Sequence, residues 1–163
     1  GAARGRNVLF GTTATDVPVA SLPPWALAVP VAVAAYVAGV TLVAADEATG
    51  ATRRSVVVAG GGAVVAGAVA VTLLATVGPT ASVLAVGVGA ALALGFLAVT
   101  GRALARAYRD PSPGTVGPVI GTCVLALVVF DSAVAAVAGV GWTLATVAFI
   151  GPAVGLAQLF DVS

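Results

Sequence analysis

The chain has 163 residues, 60% of them apolar and 8% charged, with a net charge of +1 and a mean hydropathy of +1.15. Seven basic and six acidic residues cannot cover a water-soluble domain of this length, and they are bunched so that 17–45, 55–101 and 132–160 carry none. Nucleic-acid binding, a disordered tail and a secreted disulfide scaffold are excluded, and the composition is that of a membrane protein. His and Lys are missing, which removes a catalytic imidazole, a Schiff-base lysine and a His-ligated metal site within these residues and leaves oxygen-ligand chemistry open. The single Cys123, inside an apolar run, reads as a small buried hydrophobe. With no Met and an opening Gly1-Ala2-Ala3-Arg4, the sequence is expected to be a piece of a longer chain.

In chain order, residues 1–10 read as the end of a helix, followed by a polar stretch at 11–15. Five windows then reach the roughly 20 apolar residues a spanning helix needs: 25–45, 55–77, 81–100, 116–137 and 141–159. A membrane β-barrel would alternate apolar and polar residues over about ten positions, whereas 55–77 is apolar or Gly on every face. Pro23-Pro24 precedes the first span, Trp25 suits the interface, and Pro30 marks an expected kink. Gly78-Pro79 separates the second and third spans, and Asp110-Pro111-Ser112-Pro113-Gly114 the third and fourth. Arg53 and Arg54 follow the first span and Arg102, Arg106 and Arg109 the third, while the alternate loops are uncharged, so 46–54 and 101–115 are expected to be cytoplasmic. The expected fold is thus an all-α integral membrane bundle, five full spans plus the end of a sixth helix, forming one domain over 1–163 in the plasma membrane.

Glycines recur along these spans, at Gly60-Gly61-Gly62, Gly67, Gly87, Gly89 and Gly95 and in the pairs Gly117/Gly121 and Gly151/Gly155. Small residues let helix backbones approach closely, so tight packing is the expectation, with room for a lipid chain as the functional alternative. The polar residues are few. Asp46 and Glu47 end the first span, where the helix dipole disfavours anions by roughly 0.3–1 kcal/mol each. Arg53 and Arg54 could compensate them, a divalent cation such as Mg²⁺ could, or they are solvated charges that help set topology. Asp131 lies deep in the fourth span, at roughly 2.5–3.5 kcal/mol on insertion scales, and is expected to pair with Ser132 or a neighbouring helix or to be protonated. Arg4 and Asn7, three apart, share a helix face that suits an anion such as a diphosphate, or else Arg4 is a juxtamembrane charge at a helix end. Tyr36, in mid-span, is either a hydrogen-bonding buried aromatic or plain core.

Three segments taken together, Arg4-Gly-Arg-Asn7-Val-Leu-Phe-Gly11, Tyr36-Val-Ala-Gly-Val-Thr41 running on to Asp46-Glu47 and Gly50, and Arg109-Asp110-Pro111-Ser112-Pro113, resemble the C-terminal half of the UbiA superfamily of intramembrane prenyltransferases, and most of all its EboC-like branch. The resemblance implies nine transmembrane helices around a lipid-open cavity, with two Asp-rich motifs that hold Mg²⁺ and a prenyl diphosphate on the cytoplasmic side. It further implies transfer of a polyprenyl group to an aromatic or other lipophilic acceptor. On that basis Arg4, Asn7, Arg53 and Arg54 would face the diphosphate, and Asp46 and Glu47 would bind Mg²⁺. Two departures stand against it. The family spaces its second motif Asp-x-x-x-Asp, but Gly50 stands four residues after Asp46, and the first acidic motif would lie upstream of Gly1. These residues alone are therefore expected to be inactive. The alternatives are a non-catalytic transport or assembly subunit, against which the lack of internal repeats and of paired intramembrane charges counts mildly, and a UbiA-like fold that has lost catalysis.

Overall fold

In a computed structural model the described residues are 24–48, 50–77, 82–149, 151, 152 and 155. Arg4 and Asn7 lie outside them, as does most of the last ten residues of the expected fifth span. Five helices follow one another: α1 (Pro24–Ala45), α2 (Arg53–Val77), α3 (Val83–Arg109), α4 (Pro113–Ala135) and, after a 3₁₀ turn at Ala136–Ala138, α5 (Val140–Ala148). Among the described residues, α1 to α4 are long and apolar enough to cross a bilayer, and no strand occurs. The chain is an integral membrane helical bundle. Four of the five expected spans are seen, and the described part of α5 is nine residues long, less than a span needs.

Local chemistry sets the helix ends. Ser82 accepts a hydrogen bond from the Ala85 N–H at 3.2 Å and caps α3, and Pro113 supplies the first residue of α4, where its missing N–H costs nothing. Neither Pro30 nor Pro118 interrupts its helix. The largest difference from expectation is α3, which continues nine residues past Thr100. Residues 101–109 are Ala, Leu and Arg with one Gly and one Tyr, mostly good helix formers, and Arg106 and Arg109 sit in the last turn, where cations complement the helix dipole. The three arginines thus belong to a helix, not to a loop.

Adjacent helices run antiparallel. Gly39 faces Ala59 while Gly62 faces Ala35 and Tyr36, so residue numbers rise along α1 as they fall along α2. Gly67 against Leu97 and Gly89 against Leu74 give the same relation for α2–α3, as do Gly89 against Ala133 and Phe96 against Phe130 for α3–α4. α1 also reaches α4, and α5 leans on α4. The α1–α2 contact is backbone on backbone: a Cβ on Gly39 would stand 2.6 Å from the Ala59 Cα, and one on Gly62 would stand 2.8 Å from the Ala35 carbonyl oxygen. Gly60, Gly61, Gly87, Gly95 and Gly121 have nothing within 4 Å of such a Cβ, so the tight-packing expectation holds only for part of the glycine set.

Small residues fill the centre. Ala59, Ala63, Ala66 and Ala70 make one buried stripe along α2, while Val31, Val57, Val64, Leu84 and Leu94 point outward, each more than 60% exposed. An outer surface more bulky and apolar than the core is stable only when lipid covers it. Three aromatics are the exception inside. The Tyr36 and Phe96 rings meet edge-on at 5.2 Å, and Phe96 and Phe130 at 5.4 Å, joining α1, α3 and α4. Hydroxyls in the spans mostly bond back to the carbonyl four residues earlier, as Thr41, Thr76, Thr122, Ser132, Thr143 and Thr146 do. Thr100, fully buried, has no such partner among the described residues.

The two glycine classes predict opposite outcomes. Gly62→Ala should push α1 from α2 and lower stability by about 1–3 kcal/mol, the usual range for overpacking. Gly61→Ala, one residue away and facing outward, should leave the detergent melting midpoint unchanged or slightly raised. Equal effects of the two would contradict the packing.

Candidate functional site

The polar residues gather at the end of the bundle where α1 and α3 finish and α2 and α4 begin. α1 stops at Ala45, and Asp46, Glu47 and Ala48 form a turn, so the two carboxylates are freed from the 100° offset that helical neighbours would have. They then serve different helices. Asp46 Oδ2 accepts from the Ser55 hydroxyl at 2.9 Å, the Thr52 N–H at 3.2 Å and the Thr52 hydroxyl at 3.2 Å. Thr52 is the N-cap of α2, its Oγ1 also accepting from the Ser55 N–H at 3.1 Å. The carboxylate thus stands at the positive end of the α2 dipole, away from the negative end of α1. Glu47 reaches α4, where its Oε1 lies 2.7 Å from the place a Gly117 Cβ would occupy.

Arg53 and Arg54 are the first two residues of α2, and both are exposed. The Arg53 guanidinium lies over the Tyr108 ring, 5.4 Å from its centroid, and so links the start of α2 to the end of α3. Asp110 repeats the Asp46 arrangement at the next loop, accepting from the Thr115 hydroxyl at 2.6 Å and the Ser112 N–H at 3.2 Å. The two loops are joined by the Ala51 N–H, which donates to the Pro111 carbonyl at 3.0 Å.

Gly50 makes that junction possible. Its φ is +92°, a conformation that strains any residue with a Cβ, and a Cβ there would stand 2.6 Å from the Pro111 oxygen. Any residue other than glycine at position 50 would thus be strained and would crowd Pro111 in this arrangement. Asp46, Glu47, Arg53 and Arg54, singled out from sequence, all meet at one end, but Thr52, Ser55, Tyr108 and Pro111, which complete it, were missed. A Thr three residues before a Ser at the start of an apolar run is a helix-start signal that points to the first two. Asp131 is exposed on α4, and Ser132 is not its partner, since that hydroxyl donates to the Val128 carbonyl at 2.7 Å.

A groove of about 290 Å³ lies between α1 and α4, lined by Tyr36, Val40, Thr41, Ala44, Ile120 and Cys123 with neighbouring apolar residues, and Ala44 brings it to within one turn of Asp46 and Glu47. A second apolar hollow of about 520 Å³ lies between α1 and α2 and is lined by Ala28, Val65, Val69, Leu73 and Thr76, far from the charged end. Among the described residues, no three of His, Cys, Asp and Glu come together as a metal site. Comparison with protein-family models, with curated proteins and with solved structures gives no match.

The hydrogen bonds from Ser55 and then Thr52 hold the Asp46 carboxyl below the ordinary 3.8, and those from Thr115 and Ser112 do the same for Asp110. A depressed folded-state pKa gives stability that is complete above the unfolded value and is lost as pH falls through the folded one. The melting midpoint should therefore hold steady down to about pH 4 and then fall, and Asp46→Asn with Asp110→Asn should flatten that acid limb. A double variant with the same acid limb as the parent would contradict the capping roles.

Proposed function

We propose that the chain is part of a UbiA-type membrane prenyltransferase, which moves a polyprenyl group from its diphosphate to an aromatic or other lipophilic acceptor. The observation that carries this reading is the α1–α4 groove: an apolar slot that Ala44 brings to within one turn of two carboxylates, at the same end of the bundle as the two arginines that start α2. An amphiphile with a long apolar chain and an anionic head matches that layout, chain in the groove and head at the charged end of the bundle, where the resemblance assigns it Arg53 and Arg54. Guanidinium groups suit a diphosphate because they can hold its oxygens bidentately. A slot lined by apolar side chains also shields an allylic cation from water. Arg4 and Asn7 join the diphosphate pocket in this proposal through the resemblance alone, as do the UbiA-like arrangement of helices, a fifth span and the cytoplasmic facing of the 46–54 and 101–115 segments.

Mg²⁺ enters by the same route. The described residues do not fit a resident ion by themselves, because Asp46 Oδ2 already takes three donors, Glu47 turns to α4 and Gly50 leaves no room for a further acid. That same observation favours a second reading, a UbiA-like fold that has lost catalysis or a non-catalytic transport or assembly subunit.

Calorimetric titration of the full-length protein with geranylgeranyl diphosphate separates the two. The transferase reading predicts saturable binding that strengthens with added Mg²⁺ and drops at least tenfold when Ala44→Trp fills the groove, while Ala91→Trp on the outer face of α3 leaves it intact. No saturable binding, with or without Mg²⁺, would overturn it.

A further inference from the structure

All five arginines of the described residues stand at one end of the bundle, and three of them form a stripe. Arg102, Arg106 and Arg109 follow the spacing i, i+4, i+7, which holds them within about 60° of one another on α3. The buried face of α3 carries Phe96, Thr100, Ala103 and Ala107, and at 100° per residue the arginine stripe lies about 120° away from it. All three arginines are exposed. The same strip, followed toward the start of the helix, holds Ala91, Ala98 and Val99, also exposed. The exposed side of one unbroken helix thus changes from apolar to cationic over its last two turns.

That position has a physical meaning. Charges that only set topology can sit in any loop, whereas these sit on the exposed side of a helix long and apolar enough to cross a bilayer. From Arg102 to Arg109 the helix rises about 10 Å, enough to pass through a headgroup layer of about 5–8 Å. Tyr108, exposed between them in sequence and stacked under Arg53, is an aromatic of the kind that settles at headgroup level. The acids at this end lie elsewhere: Asp46 and Asp110 cap α2 and α4, and Glu47 lies against α4. Five guanidinium groups against three carboxylates leave the end positive among the described residues.

We infer that the Arg102–Arg106–Arg109 face of α3 binds the phosphates of anionic lipids in the leaflet at this end of the bundle. A guanidinium fork takes two oxygens of a phosphodiester at once, and three forks in a row can engage neighbouring headgroups or one headgroup with several phosphate oxygens. Zwitterionic lipids offer the same phosphate beside a cation, which the stripe repels, so the face discriminates by net headgroup charge.

The full-length protein, released from mixed micelles of phosphatidylglycerol and phosphatidylcholine with identical chains, should retain phosphatidylglycerol preferentially in native mass spectrometry. Each arginine near the surface is worth about fivefold, so Arg102→Gln, Arg106→Gln and Arg109→Gln together should reduce the preference by a factor on the order of 100. Arg109→Gln alone, at the helix end where folding is least at risk, should reduce it about fivefold. Asp131→Asn, an exposed charge toward the opposite end of α4, is the control and should leave the preference nearly unchanged. Equal retention of the two lipids, or a preference that survives Arg109→Gln and the triple variant, would overturn the inference. So would complete displacement of phosphatidylglycerol by millimolar glycerol phosphate, which would make the ligand a soluble phosphate and not a lipid.

Discussion

The hydroxyl of Tyr36 donates to the Cys123 carbonyl at 2.7 Å, and this bond closes the bundle. Successive helices would pack on one another through short loops in any case, but α1 and α4 are far apart in sequence and must be brought together by side chains. Tyr36 does so with both its ends, the ring meeting Phe96 of α3 and the hydroxyl reaching the backbone of α4. A carbonyl inside an α-helix already accepts the N–H four residues on, and its second lone pair is what the phenol uses. The ring fills a centre otherwise built largely from Ala and Gly, where its bulk fixes the separation of the three helices.

The rest follows from that closure. With α1 held against α4, the groove between them takes its shape, and the end of α1 is delivered beside the start of α4, so that Glu47 meets Gly117. The loops then lock through Ala51 and Pro111, and each loop carries an aspartate that caps the helix after it. The charged end is therefore ordered by the same contacts that order the apolar interior. The outer face of α3 passes from exposed Val99 to exposed Arg102 without a break in the helix, so the apolar span and the charged end are joined by one rigid element.

The spans were legible because long uninterrupted apolar runs admit few other structures, and α1, α2 and α4 begin and end within three residues of expectation. The α3 extension was not, since arginines after an apolar run read as a loop when the helix-forming strength of their Ala and Leu neighbours is set aside. Glycine content was legible but its use was not: Gly61 and Gly62 are identical as letters, and only the register of α2 on α1 decides which one touches a backbone. At the polar end, composition identified Asp46 and Glu47 as residues needing a partner. It could not tell that Asp46 turns to Thr52 and Ser55, nor that Gly50 is required by its positive φ, because both depend on where the second loop lies.

The single cysteine gives the most direct test of the closed bundle. Cys123 is 1% exposed, while Val124 beside it, at the same depth in α4, is 57% exposed. In detergent, a lipid-soluble maleimide should label Cys123 at least tenfold more slowly than it labels Val124→Cys in a Cys123→Ala background, and Tyr36→Ala should narrow that gap. Equal labelling rates at the two positions in the parent fold would contradict the closure of α1 onto α4, and with it the groove and the ordered charged end that depend on it.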